Sequence, residues 1–228
     1  MTDARTEILA RVRTALADVP AHERPDDVAV ERGYRQSVET PRAELLDQFR
    51  AMVEDYRAGI RTVAPDELPE ALEALCRSRG SVRLVVPPDL PAQWRPEGLE
   101  LVEDRELAAS ALDEVDGVIT GCAAGIAQTG TLVLDGGARS GRRVITLVPD
   151  HHVCIVEADQ VVGLVPEAVA RVAACVREGG APITLISGPS ASSDIELSRV
   201  EGVHGPRRLD VVVVEPAERA PEASAGGG

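Results

Sequence analysis

The sequence contains no lysine and no asparagine, so all 24 of its basic residues are arginine. Without lysine, neither a Schiff-base amine nor a Walker-type phosphate loop can be built. Only four residues are aromatic: Tyr34, Phe49, Tyr56 and Trp94. That is few for stacking bases, and 38 acidic residues bring the formal charge to −14, which repels a phosphate backbone. Nucleic acid is therefore not expected as a partner. No apolar run approaches the roughly 18 residues of a membrane span, so no transmembrane segment is expected. The opening Met1-Thr-Asp-Ala-Arg-Thr-Glu lacks the apolar stretch of a secretory signal, and a cytoplasmic location is expected. Cysteine is scattered, since Cys76, Cys122, Cys154 and Cys175 include no C-x-x-C pair. This spacing argues against an intrinsic iron–sulfur cluster or zinc ribbon, and no cofactor is expected on this chain. A G-x-S-x-G serine motif is also missing.

What remains is an ordinary globular composition, with 228 residues of which 44% are hydrophobic and 27% charged. Residues 1–40 read as an N-terminal helix, with Ile8, Leu9, Val12, Leu16 and Val19 at helical spacing, followed by an exposed connector rich in proline and charge. After Pro41, a second helix is expected, because Leu45, Leu46, Phe49, Met52, Val53 and Tyr56 cover one side of a cylinder. Such a face must be buried against the main domain or another subunit, which leaves a homo-oligomer open.

From residue 41 to 215 the pattern is α/β. Strands are expected at 60–63, 82–86, 99–102, 117–120, 131–134, 144–147, 153–157, 183–186 and 209–214. Helices are expected near 66–79, 104–112 and 166–177, with a short one after 186. Continuous apolar runs such as Val211 to Val214 suit a mainly parallel sheet flanked by helices. The crowded strands between 117 and 162 suggest a partly antiparallel insertion. Residues 216–228 read as a disordered tail.

Three segments carry chemistry. In open α/β sheets ligands gather beyond the carboxyl ends of strands, and the small residues of 121–131 are expected there, with Thr129 and Thr131 flanking Gly130. The same glycines also suit a simple turn and bulge. In the second segment, 187–196, a strand-loop-helix junction would aim backbone N–H groups at an anion, with Ser187, Gly188 and Ser190 favoured as ligand residues. Here Ser193 and Glu196 also have the form of a capping box, so Glu196 divides between cap and site. The third is Gly202-Val-His-Gly-Pro206, whose His204 either faces a ligand or stabilises its own turn. His151 and His152 are neighbours on an expected strand and point to opposite faces, so they do not share a metal ion; no metal site is expected.

Taken together, GIAQTGTLVL (125–134), SGPSASSDIE (187–196) and GVHGPRRLDVVVV (202–214) resemble the LUD family, in its lactate utilization protein C branch. The resemblance covers about residues 40–214. It implies a NagB/RpiA/CoA-transferase-like fold and a part in oxidising L-lactate to pyruvate alongside iron–sulfur lactate utilization subunits. The clusters would lie in those partner proteins and this chain would be the clusterless component. The pocket residues it implies are Thr129, Gly130, Thr131, Ser187, Gly188, Ser190, Asp194, Glu196, His204 and Gly205, as binding positions for a small organic acid or other anionic ligand; catalytic residues are not assigned. The sequence departs from the family pattern at Gln128, where an acid is common, and at Asp210-Val211, where His-Val is frequent. The alternative reading is a free-standing enzyme of the same fold group acting on an anionic small molecule.

Overall fold

The computed structural model describes residues 3–20, 22–24, 27, 29–31, 33–192, 200–201 and 205–215. The chain divides into two units, 1–35 and 36–228. In the first, helix α1 (Ala4–Ala15) opens on Asp3, whose carboxylate accepts from the Arg5 backbone N–H at 3.4 Å, and none of its residues is buried.

In the second unit, helix α2 (Arg42–Asp55) begins just after Pro41, and Leu45, Leu46, Phe49 and Val53 bury its apolar face. Proline suits this boundary because it lacks the N–H that a helix start leaves unpaired. The expected face is covered within the unit itself. Arg42 fixes the entry, donating through Nη1 to the carbonyls of Ala158 (2.9 Å) and Val161 (2.7 Å).

Six strands form one wholly parallel sheet: β1 (Gly59–Val63), β2 (Arg83–Val86), β3 (Glu100–Glu103), β4 (Gly117–Gly121), β7 (His151–Glu157) and β12 (Arg208–Val214), in the order β1-β12-β7-β4-β2-β3. Alternation along the strands separates two cores. Val153, Ile155, Val212 and Val214 face helix α3 (Leu68–Ser78), meeting Leu68, Leu72, Leu75 and Cys76. Cys154, Val156, Leu209, Val211 and Val213 face the other way, towards α2. Both sides are covered, which is why Val211 to Val214 of β12 read as an unbroken apolar run.

The expected antiparallel insertion is a separate four-stranded sheet. Its strands are β5 (Ala124–Ile126), β6 (Thr131–Leu134), β8 (Val161–Val162) and β9 (Thr184–Ile186), in the order β8-β5-β6-β9. β6 is antiparallel to both β5 and β9, whereas β5 and β8 are parallel. Leu132 and Leu134 turn towards the α2 core, while Ala124, Ile126 and Val133 meet Ala168 and Val172 of helix α5 (Val165–Gly179). A short pair, β10 (Ala191–Ser192) with β11 (Val200–Glu201), completes the strands among the described residues.

Three expectations change. Residues 124–126, taken as loop, form β5. The helix expected at 104–112 is a single turn, α4 (Ala109–Leu112). The strand expected at 144–147 is a 3-10 turn, Arg143–Thr146. The turn prevails because Arg142 grips buried Asp104 with two hydrogen bonds (2.7 and 2.5 Å), while the Thr146 hydroxyl donates back to the Arg143 carbonyl at 3.1 Å. The helix expected after 186 and the tail expected at 216–228 lie outside the described residues.

Candidate functional site

A cavity of about 240 Å³ opens between the 3-10 turn 143–146, the first residues of β7 and β12, and the segment leaving β9. Of the sequence-predicted residues, Ser187, Gly188, Ser190 and Gly205 line it; so do Arg143, Thr146 and His152, which the sequence reading did not include. The Ser190 backbone N–H donates to the Pro206 carbonyl at 2.8 Å, tying together two of the three motif segments. The cavity lies at the amino ends of β7 and β12, not beyond the carboxyl ends expected for the loops. The reason is topological: β9 belongs to the smaller sheet, and Gly205-Pro206 leads into β12 instead of leaving a main-sheet strand.

The Thr129-Gly130-Thr131 segment stands behind the cavity. Thr131 Oγ1 shares hydrogen bonds with Ser187 Oγ (2.8 Å) and Thr129 Oγ1 (2.7 Å), so the first motif braces the second. Gly130 has φ +58°, and a Cβ there would lie 2.6 Å from the Met52 carbonyl carbon. Gly188, at φ +79°, would meet the Tyr56 backbone oxygen at 2.8 Å. Both glycines therefore let α2 and its end approach closely, the packing use of a residue without a side chain. Asp194, Glu196 and His204 lie outside the described residues, as does the capping box at Ser193.

Arg143 fixes its guanidinium locally, donating through Nη1 to the Thr146 carbonyl (3.1 Å) and hydroxyl (2.8 Å). It remains exposed to solvent, yet enough of it is desolvated to lower its pKa below the ordinary arginine value. His152 is buried and its Nε2 shares a 2.8 Å hydrogen bond with Thr120 Oγ1. Beneath these lie two buried thiols. Contact with Cys154 and then burial push the Cys122 thiol up, while Cys154 is the more acidic of the pair, helped by Cys122 and, against burial, by His152 and Thr120. Gln160 closes this line by donating to the Cys122 carbonyl at 2.8 Å.

Residues 46–214 match the LUD domain family. The chain belongs to that family. Over 93% of its length it is 45% identical to lactate utilization protein C of Deinococcus radiodurans, covering 96% of that protein. A lactate utilization protein C from an Exiguobacterium species is 30% identical over 75% of this chain and 78% of its own length. The crystal structure of a DUF162 family protein from Deinococcus radiodurans superposes with a TM-score of 0.68 at 43% identity, covering 78% of this chain and 100% of that one. The mainly parallel α/β architecture is thus that of the LUD domain.

On the other face of the parallel sheet the LUD domain carries a second polar group. Ser81 Oγ lies 2.9 Å from His151 Nδ1, His151 Nε2 lies 3.0 Å from Asp210 Oδ2, and Arg79 donates to both Asp210 oxygens at 3.1 and 2.9 Å. The residue types match a serine-histidine-aspartate set, but Ser81, His151 and Asp210 are 3%, 1% and 3% exposed, which denies a substrate access to the hydroxyl. Burial opposes the Asp210 charge, and hydrogen bonds from His151 and Arg79 outweigh it, holding the carboxyl below its usual range. Gly59 makes the space: a Cβ there would fall 2.0 Å from Asp210 Oδ1. The departure from the family pattern at 210 therefore has a structural partner set. Among the described residues, no three His, Cys, Asp or Glu side chains are grouped to hold a metal ion, and no helix is long and apolar enough to cross a membrane.

Proposed function

We propose that this chain is the accessory, clusterless component of a cytoplasmic iron–sulfur system that oxidises L-lactate to pyruvate, working with iron–sulfur subunits that hold the redox centres. One observation carries the reading: the segments that carry the resemblance to the lactate utilization branch converge on one polar cavity, lined by Ser187, Ser190 and Gly205 and braced by Thr131. Removing two electrons from lactate requires an acceptor. The cysteines do not gather into a four-ligand set: Cys122 and Cys154 lie together in the α2 core, Cys76 lies in the α3 core, and Cys175 is exposed on α5. The acceptor is accordingly assigned to partner subunits, and the cavity to a small organic acid or other anion.

The test is purification of the tagged chain from lactate-grown source cells, with iron content and lactate:dye oxidoreductase activity compared against the chain expressed alone. Iron and activity are expected only with co-purifying partners. Turnover of an anionic substrate by the isolated, iron-free chain would replace this reading with the free-standing enzyme.

A further inference from the structure

We infer that the cavity is a carboxylate site for a short 2-hydroxy or 2-oxo monocarboxylic acid, with Arg143 as the anion anchor and His152 as the partner of the oxygen on the second carbon. The inference rests on the functional reading above only for its choice of probes. Its physical basis is the lining itself. In a chain of net charge −14, the described residues around this cavity include one arginine, one histidine and several hydroxyls, and no aspartate or glutamate. A cationic guanidinium among hydroxyls is a lining that favours an anion.

The orientation of Arg143 is prepared. Its Nη1 is held by both oxygens of Thr146, and among the described residues no carboxylate lies within ion-pair distance of it. A guanidinium fixed at one nitrogen still offers its remaining N–H groups to a carboxylate as a planar fork. Desolvation already lowers its pKa, so an incoming negative charge meets a cation that is incompletely compensated by water. Buried His152 has Nε2 engaged with Thr120, which leaves Nδ1 as the ring nitrogen for a hydroxyl or keto oxygen.

Size and polarity narrow the class. A cavity of about 240 Å³ is below the roughly 300–1,000 Å³ of sites for drug-sized ligands. Its wall also includes Ile186 and Leu209, which suit an alkyl group and give nothing to inorganic phosphate.

Isothermal titration calorimetry on the full-length chain tests this with L-lactate, pyruvate, lactamide and inorganic phosphate. Lactate and pyruvate should bind saturably, with lactamide and phosphate about tenfold weaker or undetectable. Arg143→Gln should weaken the acids about ten- to hundredfold, and Arg143→Lys should restore part of the loss. Circular dichroism should show both variants folded. Equal binding of lactate and lactamide, stronger binding of phosphate, an unaltered Arg143→Gln, or no saturable binding of either acid would each overturn the site. Failure here with iron partners still co-purifying would sink the carboxylate site alone. Acid binding by a chain that captures no partners would instead sink the accessory-subunit reading alone.

Discussion

His151 and His152 are adjacent in β7, equally buried at 1% exposure, and have opposite fates. His151 enters the α3 side of the sheet, where Ser81 and Asp210 take its two ring nitrogens and Arg79 in turn holds Asp210. His152 enters the α2 side, where Thr120 holds one nitrogen and the ring borders an open cavity beside Arg143. The first side spends its polar groups on each other and gains rigidity. The second leaves a cation without a carboxylate partner among the described residues, which is the condition for binding one. The difference separates polar groups closed on one another from polar groups that border an opening, which residue type alone does not do.

The sharpest way to break the comparison is Asp210→Ala. It leaves Arg79 and His151 without their buried carboxylate and should destabilise the domain by about 3 kcal/mol or more, read from the midpoint of urea unfolding. A loss below about 1 kcal/mol would mean that the network is not the structural element described here.

A smaller effect is expected from acid. Asp210 and Asp104 are both held below the ordinary carboxylate range, Asp210 by His151 and Arg79 against its burial and Asp104 by Arg142. Their folded-state pKa is depressed, so their contribution is complete above the unfolded value of about 4 and disappears as pH falls through the lower native values. Melting temperature should therefore drop below about pH 4, less steeply in Asp210→Asn than in the parent protein. Parallel profiles would show that Asp210 carries none of the acid sensitivity.

The smallest effect belongs to the open side. Arg143→Gln should change stability by no more than about 0.5 kcal/mol, because Arg143 is exposed and its bonds close only one local turn. A large destabilisation would place Arg143 with the structural groups and erase the contrast.

Much of the architecture was legible because it is periodic. The α2 face, the α3 face and the apolar β12 each repeat at the interval their element imposes, and each lies close to where the pattern placed it. The segment 143–146 was not legible, because Val144-Ile145-Thr146 carries strand-like side chains and the turn is imposed by Asp104, about forty residues earlier in the chain. Arg143 is illegible for the same reason, because it stands just before the expected strand 144–147 and only the turn brings it to the cavity. The site was half legible. Ser187, Gly188, Ser190 and Gly205 line the cavity, whereas Thr129, Gly130 and Thr131 stand outside its lining, and Gly130 and Gly188 both pack closely against α2 and its end.

By itself, the sequence determined the α/β class, the two-sided burial of the central strands, the family and the lack of a clustered cysteine set, since composition, periodicity and motif order are local properties of the chain. Only the tertiary structure decided that the motif segments meet at the amino ends of β7 and β12, that His152 and Arg143 join them, and that Asp210 is locked away with His151. Those outcomes depend on strand order and on which face of the sheet receives each side chain, and strand order arises from contacts between residues far apart in sequence.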